Sequence, residues 1–156
     1  MIEGVSFIKV TRCAYSFTHS LIHLMTLTSI LCPLDFSAAT PRLVAYAAAL
    51  AFATGAELRL LHVREPQDAE APAGADRLAG LRLAAEQAGA PHVSTNTVRG
   101  EAAPTIVAEA SRRHADLIVI GAHGQTGLTR FLMGNTAEVV LRTAPCPTLL
   151  VRAPAT

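Results

Sequence analysis

Three glycines in the second half of the chain stand where an apolar run gives way to a helical pattern. Gly121 follows the run 116–120 directly, Gly124 lies three residues further on, and Gly134 precedes an amphipathic segment that ends near Thr143. Glycines let backbone N–H groups approach a ligand closely, and the first turn of a helix offers unpaired donors at the positive end of its dipole. The spacing therefore predicts a strand, a glycine loop and a helix start that together bind an anion, with phosphate as the leading candidate.

Residues beside these glycines have alternative roles. Asn135 can cap the helix together with Glu138, as in a capping box, and the glycines then merely permit a tight turn. His123 can donate to a phosphate or ribose oxygen, or it can hold the loop through a backbone hydrogen bond. The residues alone leave both alternatives open.

Composition restricts the classes of protein to which the chain can belong. It has 156 residues, of which 51% are hydrophobic and 16% charged, and a formal net charge of +1. These values predict one globular domain and argue against nucleic acid or an anionic membrane surface as the partner. Cys13, Cys32 and Cys146 are too far apart for a metal-ligand cluster and fit a reducing cytosol, so no metal site is expected.

The first 28 residues are expected to form an N-terminal extension. Polar residues interrupt its apolar stretch, which is also too short for a membrane span, so neither a secretion signal nor a transmembrane segment is predicted. We expect residues 1–28 to be poorly packed, either as an extension without a role in the core or because the true start is Met25. The domain is assigned to residues 29–156. His19 and His23 can share a helical face, but no acidic or thiol partner for a metal recurs nearby.

From Ser29 onward, short apolar strands alternate with helical patterns, as βαβ architecture requires. The alternation predicts an α/β fold, with an open, doubly wound, five-stranded parallel sheet and helices on both faces. We expect Gly55 and Gly89 to end the first two helices, residues 64–75 to form a surface loop, and a third helix to run from Ala103 to His114. The predicted strands are 30–34, 57–63, 92–98 (a half-exposed edge strand), 117–120 and 148–151.

In a doubly wound sheet, ligands bind at the carboxyl ends of strands where the winding reverses. Asp35 follows the first predicted strand and Gly121 follows the fourth. If these strands are neighbours, the carboxylate and the glycine loop share a crevice. A carboxylate at a strand exit can also cap a helix, but its place opposite the loop favours ligand contact. His62, near the end of the second strand, is expected to be a satisfied core or rim histidine.

Motifs in three parts of the chain resemble those of the universal stress protein family. They are Ile30-Leu-Cys-Pro-Leu-Asp-Phe-Ser37, the strand end Leu60-Leu-His-Val63, and Gly121-x2-Gly124-x9-Gly134 followed by Asn-Thr-Ala-Glu. The resemblance spans about residues 29–152. It implies a sheet in the order 3-2-1-4-5, a homodimer, a cytoplasmic location, a role in stress survival and, in one subgroup, binding of ATP through the glycine pattern.

The resemblance also implies roles for individual residues. It puts Asp35 on the adenosine side, the main chain of Val63 at the adenine, and the glycine pattern at the ribose and phosphates, with any Mg²⁺ held mainly by the nucleotide. This chain departs from the family at Asn135, where Ser or Thr is more usual, and at Gln125, where relatives often have a basic residue; Arg130 is the nearest cation in sequence. The candidate ATP-binding residues are Pro33, Leu34, Asp35, Val63, Ile120, Gly121, His123, Gly124, Gly134, Asn135, Thr136 and Ala137.

No catalytic machinery is recognisable in the sequence. A Walker lysine, a carboxylate pair and a nucleophile triad are all missing, so at most slow ATP hydrolysis or autophosphorylation is expected, as the resemblance would allow. The leading hypothesis is an ATP-binding stress protein that switches an unidentified protein partner or its own assembly. The alternative is a nucleotide-independent, dimeric interaction scaffold. An enzyme on a similar scaffold fits least, because aromatic residues are only 4% of the chain and Trp is absent. Pairing of the last strand, 148–152, with a second copy would cover its apolar edge.

Overall fold

The computed structural model describes residues 26–68, 73–122 and 134–152. Strands and helices alternate strictly along this part of the chain. The strands are β1 (Ser29–Leu34), β2 (Glu57–Arg64), β3 (His92–Arg99), β4 (Leu117–Gly121) and β5 (Thr148–Val151), and the helices are α1 (Thr40–Thr54), α2 (Ala73–Gln87), α3 (Ala102–Arg112) and α4 (Asn135–Thr143).

The strands form one parallel sheet in the order β3-β2-β1-β4-β5. With helices on both faces, this arrangement confirms the predicted doubly wound α/β fold, including the order that the resemblance implied. The winding reverses between β1 and β4, which pair in the register Ile30↔Leu117 and Leu31↔Ile118. Their carboxyl ends therefore lie side by side, at the point where ligands bind in sheets of this kind.

Side chains of the central strands alternate between two cores. Ile30, Cys32 and Leu34 pack beneath α1 and α2, whereas Leu31 and Ile118 pack beneath α3 and α4. Because both faces are covered, every residue of β1 is buried, as is typical of a central parallel strand. In β3 every position is half-buried or exposed, and this confirms the predicted edge strand.

The first two helices end where the sequence predicts. Gly55 follows α1 with a left-handed φ of 74°, and its N–H donates to Ala51 O at 2.8 Å. Gly89 follows α2 with a φ of 100°, and its N–H donates to Glu86 O at 3.0 Å. Glycine adopts these backbone conformations without a steric penalty, which is why it ends helices so often.

The third helix ends earlier than predicted. α3 stops at Arg112, and His114 adopts a left-handed φ of 50°. The N–H groups of His114 and Ala115 close back on Ser111 O at 3.2 Å and on Ala110 O at 2.9 Å, which is a Schellman motif. The prediction that His114 lies within the helix is therefore wrong, because a histidine in this position lacks the glycine signal by which such helix ends are recognised.

The second helix begins earlier than predicted. α2 starts at Ala73 and takes up the end of the predicted loop 64–75, and β2 takes up Arg64 at the other end. Asp76 in the first turn favours this start, because an acidic side chain there interacts well with the helix dipole. The remaining connection contains a turn in which Asp68 N–H donates to Glu65 O at 3.0 Å. Residues 69–72 lie outside the described part of the chain.

The described part of the predicted extension contacts the domain. Leu27 packs against the core beneath α1 and α2, and Thr28 is hydrogen bonded to Asp116. Residues 1–25, and with them Met25 and the pair His19 and His23, lie outside the described residues. The assignment of 1–28 as an extension and 29–156 as the domain stays a prediction.

Asp116 joins the start of β1 to the start of β4. Its Oδ2 accepts the N–H of Thr28 at 2.8 Å, the Thr28 hydroxyl at 2.7 Å and the N–H of Ser29 at 3.0 Å, while its own N–H donates to Ser29 O at 2.9 Å. Desolvation opposes ionisation of this carboxyl group. The three hydrogen bonds outweigh it and hold the pKa of Asp116 below its ordinary value.

We predict that Asp116→Ala lowers the free energy of unfolding by about 1–3 kcal/mol, because three donors lose their acceptor. Urea unfolding at neutral pH measures the loss, with Asp76→Ala on α2 as an exposed control expected to cost about 0.3–1 kcal/mol.

The effect of Asp116 on stability should depend on pH. A lowered folded-state pKa means that the ionised carboxylate stabilises the fold fully above its unfolded-state pKa of about 3.9, and that this contribution is lost as the pH falls through the folded-state pKa. The difference between wild type and Asp116→Ala should therefore shrink below about pH 4. Equal stability of the two proteins at neutral pH would contradict this account.

Candidate functional site

A cavity of about 410 Å³ lies at the carboxyl ends of β1, β2 and β4, beside the first turn of α4. Its volume falls within the range of roughly 300–1,000 Å³ that is typical of small-molecule sites. The predicted site residues that line it are Pro33, Leu34, Asp35, Val63, Ile120, Gly121, Gly134, Asn135, Thr136 and Ala137. His123 and Gly124, the other two predicted residues, lie outside the described residues, as do Gln125 and Arg130.

Asp35 follows β1 directly and is half-buried at the cavity wall. Its Oδ1 accepts the N–H of Ser37 at 2.9 Å and the hydroxyl of Thr40 at 3.3 Å. Such side-chain bonds to the following backbone are typical of Asx turns, and here they organise the approach to α1. The helix itself begins after Ala39, so Asp35 shapes the loop without being the N-cap residue.

An aromatic cluster adjoins this carboxylate. The Phe36 and His62 rings lie with their centroids 4.4 Å apart and tilted by 41°, and the Arg77 guanidinium lies 4.5 Å from the centre of the Phe36 ring. The His62 ring also contacts Leu34 O through Nδ1 at 3.2 Å. Because a carbonyl oxygen only accepts, this hydrogen bond requires the proton on Nδ1. The predicted core or rim histidine is thus half-buried and satisfied, and it also lines the cavity.

The start of α4 differs from the predicted capping box. Gly134 is the N-cap residue, with extended backbone (φ −60°, ψ 147°), and Asn135 is the first helical residue. Glu138 therefore stands one position too late to complete a capping box, and its N–H donates to Gly134 O at 3.0 Å. The N-cap role predicted for Asn135 is wrong. Glycine has no side chain that could accept hydrogen bonds from the first N–H groups of α4. These N–H groups therefore have no side-chain cap, and the residues that carry them line the cavity.

Gly134 is tied to the ends of the neighbouring strands. Its N–H donates to Ala122 O at 2.8 Å, and Ala122 N–H donates to Val151 O at 2.9 Å. These bonds bring the start of α4, the exit of β4 and the end of β5 to one corner of the cavity. Arg152, which follows β5 and is exposed, lines the cavity as well.

Several polar residues of the cavity were not predicted as site residues. On the β2 side lie Glu65 and Asp68, and on the α1 side lies Arg42, which also contacts the Tyr46 ring at 5.5 Å. The described wall is thus acidic beside β2 and basic beside β5, where Arg152 stands. The carboxyl ends of parallel strands lie at the same edge of a sheet. Once the strand order was known, the residues just after β2 and β5 could therefore have been predicted as site residues.

The described residues contain no metal cluster, and the thiol of Cys32 is buried. Among residues 26–68, 73–122 and 134–152, no three His, Cys, Asp or Glu side chains gather where they could hold a metal ion. Burial raises the pKa of the Cys32 thiol, which therefore stays protonated and is a poor nucleophile. Within the same ranges, no helix has the length and apolar character needed to cross a membrane.

Comparison with known families and sequences shows what the chain resembles. Residues 26–152 match the model of the universal stress protein family. A universal stress protein from Thermus aquaticus is 31% identical over 134 residues, which cover 80% of this chain and 98% of that protein. One from Methanocaldococcus jannaschii is 41% identical over 81 residues, 52% of this chain and 47% of that protein. The matched part of this chain thus covers nearly all of the Thermus aquaticus protein but only about half of the Methanocaldococcus jannaschii protein.

Solved structures with the same fold include proteins bound to nucleotides. UspA from Lactobacillus plantarum has a TM-score of 0.73 at 27% identity, over 81% of this chain and 98% of that one. A universal stress protein in complex with cAMP has a TM-score of 0.68 at 23% identity, over 81% of this chain and 97% of that one. One from Archaeoglobus fulgidus in complex with dAMP has a TM-score of 0.65 at 21% identity, over 81% of this chain and 98% of that one.

Proposed function

The chain belongs to the universal stress protein family, and we propose that it binds ATP in the cavity at the ends of β1, β2 and β4 and acts in the stress response as a nucleotide-dependent switch. One observation carries the proposal. Asp35 and the start of α4 come from distant parts of the chain, yet they line the same cavity at the point where the winding of the sheet reverses.

The two sides of the cavity suit the two ends of a nucleotide. The first amides of α4, the positive end of its dipole and Arg152 would attract phosphate oxygens. On the β2 side, the main chain of Val63 and the carboxylates of Glu65 and Asp68 can accept hydrogen bonds from a base amino group or from ribose hydroxyls. Any Mg²⁺ would be held mainly by the phosphates, because the described residues offer it no cluster of ligands.

Structural neighbours support the class of ligand. cAMP and dAMP, found in two of them, share an adenine base and a single phosphate. At 23% and 21% identity these neighbours establish a common fold, and the adenine nucleotide is carried over to this chain as a proposal. The choice of ATP among adenine nucleotides rests on the glycine spacing and on the resemblance to the ATP-binding subgroup.

A nucleotide-independent scaffold is the competing function. One observation favours it: Oδ1 of Asp35 already accepts hydrogen bonds from Ser37 and Thr40, as it would in a purely architectural loop. In that case the glycines only permit the connection from β4 to α4, and the protein acts through its surfaces. Measurement of nucleotide binding separates the two functions.

We predict that the wild-type protein binds a fluorescent ATP analogue saturably below the millimolar range and that Gly134→Val weakens binding at least about tenfold. Valine tolerates the extended backbone of Gly134, and because Gly134 lines the cavity we expect the added side chain to take up space at its wall. Gly80→Val is the matched control, because Gly80 lies in α2 with open space around its Cβ position. Absent binding, or binding that Gly134→Val leaves unchanged, would favour the scaffold.

Arg152 should distinguish the phosphate end of the ligand from the nucleoside end. Replacing it as Arg152→Gln removes a cation near the proposed phosphates, so we expect ATP affinity to fall about three- to tenfold at low salt and adenosine affinity to stay unchanged. Arg142→Gln on α4 is the control, because Arg142 is exposed and faces Glu138 at 3.9 Å instead of lining the cavity. Equal losses for ATP and adenosine on calorimetric titration would contradict the placement of the phosphates.

We further propose that the protein is a cytoplasmic homodimer joined through β5 that acts on a protein partner. β5 lies at the edge of the sheet, and Leu149, Leu150 and Val151 are only half-buried there, so an antiparallel copy across a twofold axis would cover this edge. Sedimentation at micromolar concentration should give twice the chain mass. We expect Leu150→Arg to shift the protein toward the monomer, and a monomeric wild type would remove this interface.

A further inference from the structure

Phe36 adopts a backbone conformation that bulky residues avoid. Its φ of 57° lies in the left-handed region, and apart from His114 no other non-glycine residue of the described chain has a positive φ. For an aromatic residue such a conformation is strained and persists only where the surroundings hold it. It follows Asp35 directly, so the strain sits beside the carboxylate of the proposed nucleotide site.

Arg77 holds Phe36 by two different contacts. Its Nη2 donates to Phe36 O at 2.9 Å, and its guanidinium lies 4.5 Å from the centre of the Phe36 ring. The first contact fixes the orientation of the peptide unit, and the second fixes the ring by a cation–π interaction. His62 adds a third contact, with ring centroids 4.4 Å apart, and it is itself anchored to Leu34 O.

We propose that Arg77 is a positioning residue of the nucleotide site. By holding Phe36 in the left-handed conformation, it keeps the Asp35 carboxylate at the cavity wall in the geometry that accepts the Ser37 amide at 2.9 Å. The inference rests on the proposed nucleotide binding for its functional consequence. Its structural part, that Arg77 sets the geometry of Asp35, stands on contacts within the chain alone.

The position of Arg77 in the chain explains why α2 matters to the site. Arg77 and Phe36 are 41 residues apart, and their contact joins α2 to the loop that follows β1. The connection that leads into α2 also lines the cavity, through Glu65 and Asp68. Arg77 therefore fastens α2, a helix outside the cavity, to the loop that carries Asp35 at the cavity wall. Ligand affinity and the Arg77–Phe36 contact should be coupled, because each favours the same arrangement of the wall.

The first arm of the test needs no ligand. Hydrogen exchange of the Ser37 amide, followed by NMR, reports whether Asp35 still accepts it. We expect exchange to quicken at least about tenfold in Arg77→Met, which keeps an apolar side chain but loses the donor and the charge, and to quicken less in Arg77→Lys, which keeps both. Arg82→Met is the matched control on the same helix, because Arg82 pairs with Glu86 at 2.8 Å. Arg82→Met should leave the exchange rate of the Ser37 amide unchanged.

The second arm measures ATP affinity by calorimetry. We expect Arg77→Met to lower the affinity for ATP about tenfold, Arg77→Lys to lower it less, and Arg82→Met to leave it unchanged. If Arg77 acts through Asp35, the loss caused by Arg77→Met should largely vanish in an Asp35→Ala background. Melting temperatures of all variants are recorded, so that a general loss of folding is recognised.

The outcomes of the two arms are distinguishable. If the exchange rate of the Ser37 amide is unchanged in a folded Arg77→Met protein, the inference is overturned whether or not ATP binds. It is also overturned if the losses of ATP affinity caused by Arg77→Met and Asp35→Ala are fully additive. Faster Ser37 exchange together with a wild type that does not bind ATP supports the positioning role and rejects the proposed nucleotide function instead.

Discussion

The parallel pairing of β1 with β4 is the constraint on which the rest of the structure depends. These two strands come from opposite halves of the chain and pair at the centre of the sheet. At their starts, the Asp116 carboxylate accepts three hydrogen bonds from Thr28 and Ser29. At their ends, the chain turns toward α1 on one face and toward α4 on the other, and this divergence leaves the crevice that becomes the cavity.

What the crevice can bind follows from the segments that converge on it. Gly134 begins α4 without a capping side chain, so the positive end of this helix stands at the cavity, beside Arg152. The opposite wall, after β2, carries Glu65 and Asp68. A ligand that combines an anionic group with hydrogen-bond donors matches this distribution of charge, and nucleotides are ligands of that class. The strain at Phe36, which the contacts of α2 maintain, ties the shape of this wall to a helix outside the crevice.

Much of the fold could be predicted because local signals agree with it. The apolar runs of β1 and β4 are typical of buried parallel strands, and Gly55 and Gly89 mark helix ends by their freedom to adopt positive φ. The shared position of Asp35 and Gly121 followed from the strand order. His114 and Asn135 were predicted wrongly, because a left-handed histidine and a glycine N-cap contradict the usual residue preferences. The contacts of Arg77 with Phe36 depend on how α2 packs against the loop after β1, and no local pattern reveals them.

An NMR titration of the isotopically labelled protein with ATP tests the central claim most directly, because it reports every amide at once. If the crevice between β1 and β4 binds the nucleotide, amide shifts should change saturably and together at Asp35, Val63 and residues 134–137. The amide signals of Ser94 and Asn96, which line a second cavity between β2, β3 and α3, should keep their positions. Shifts confined to residues outside the crevice, or none at millimolar ATP, would contradict the account and leave the fold without this ligand.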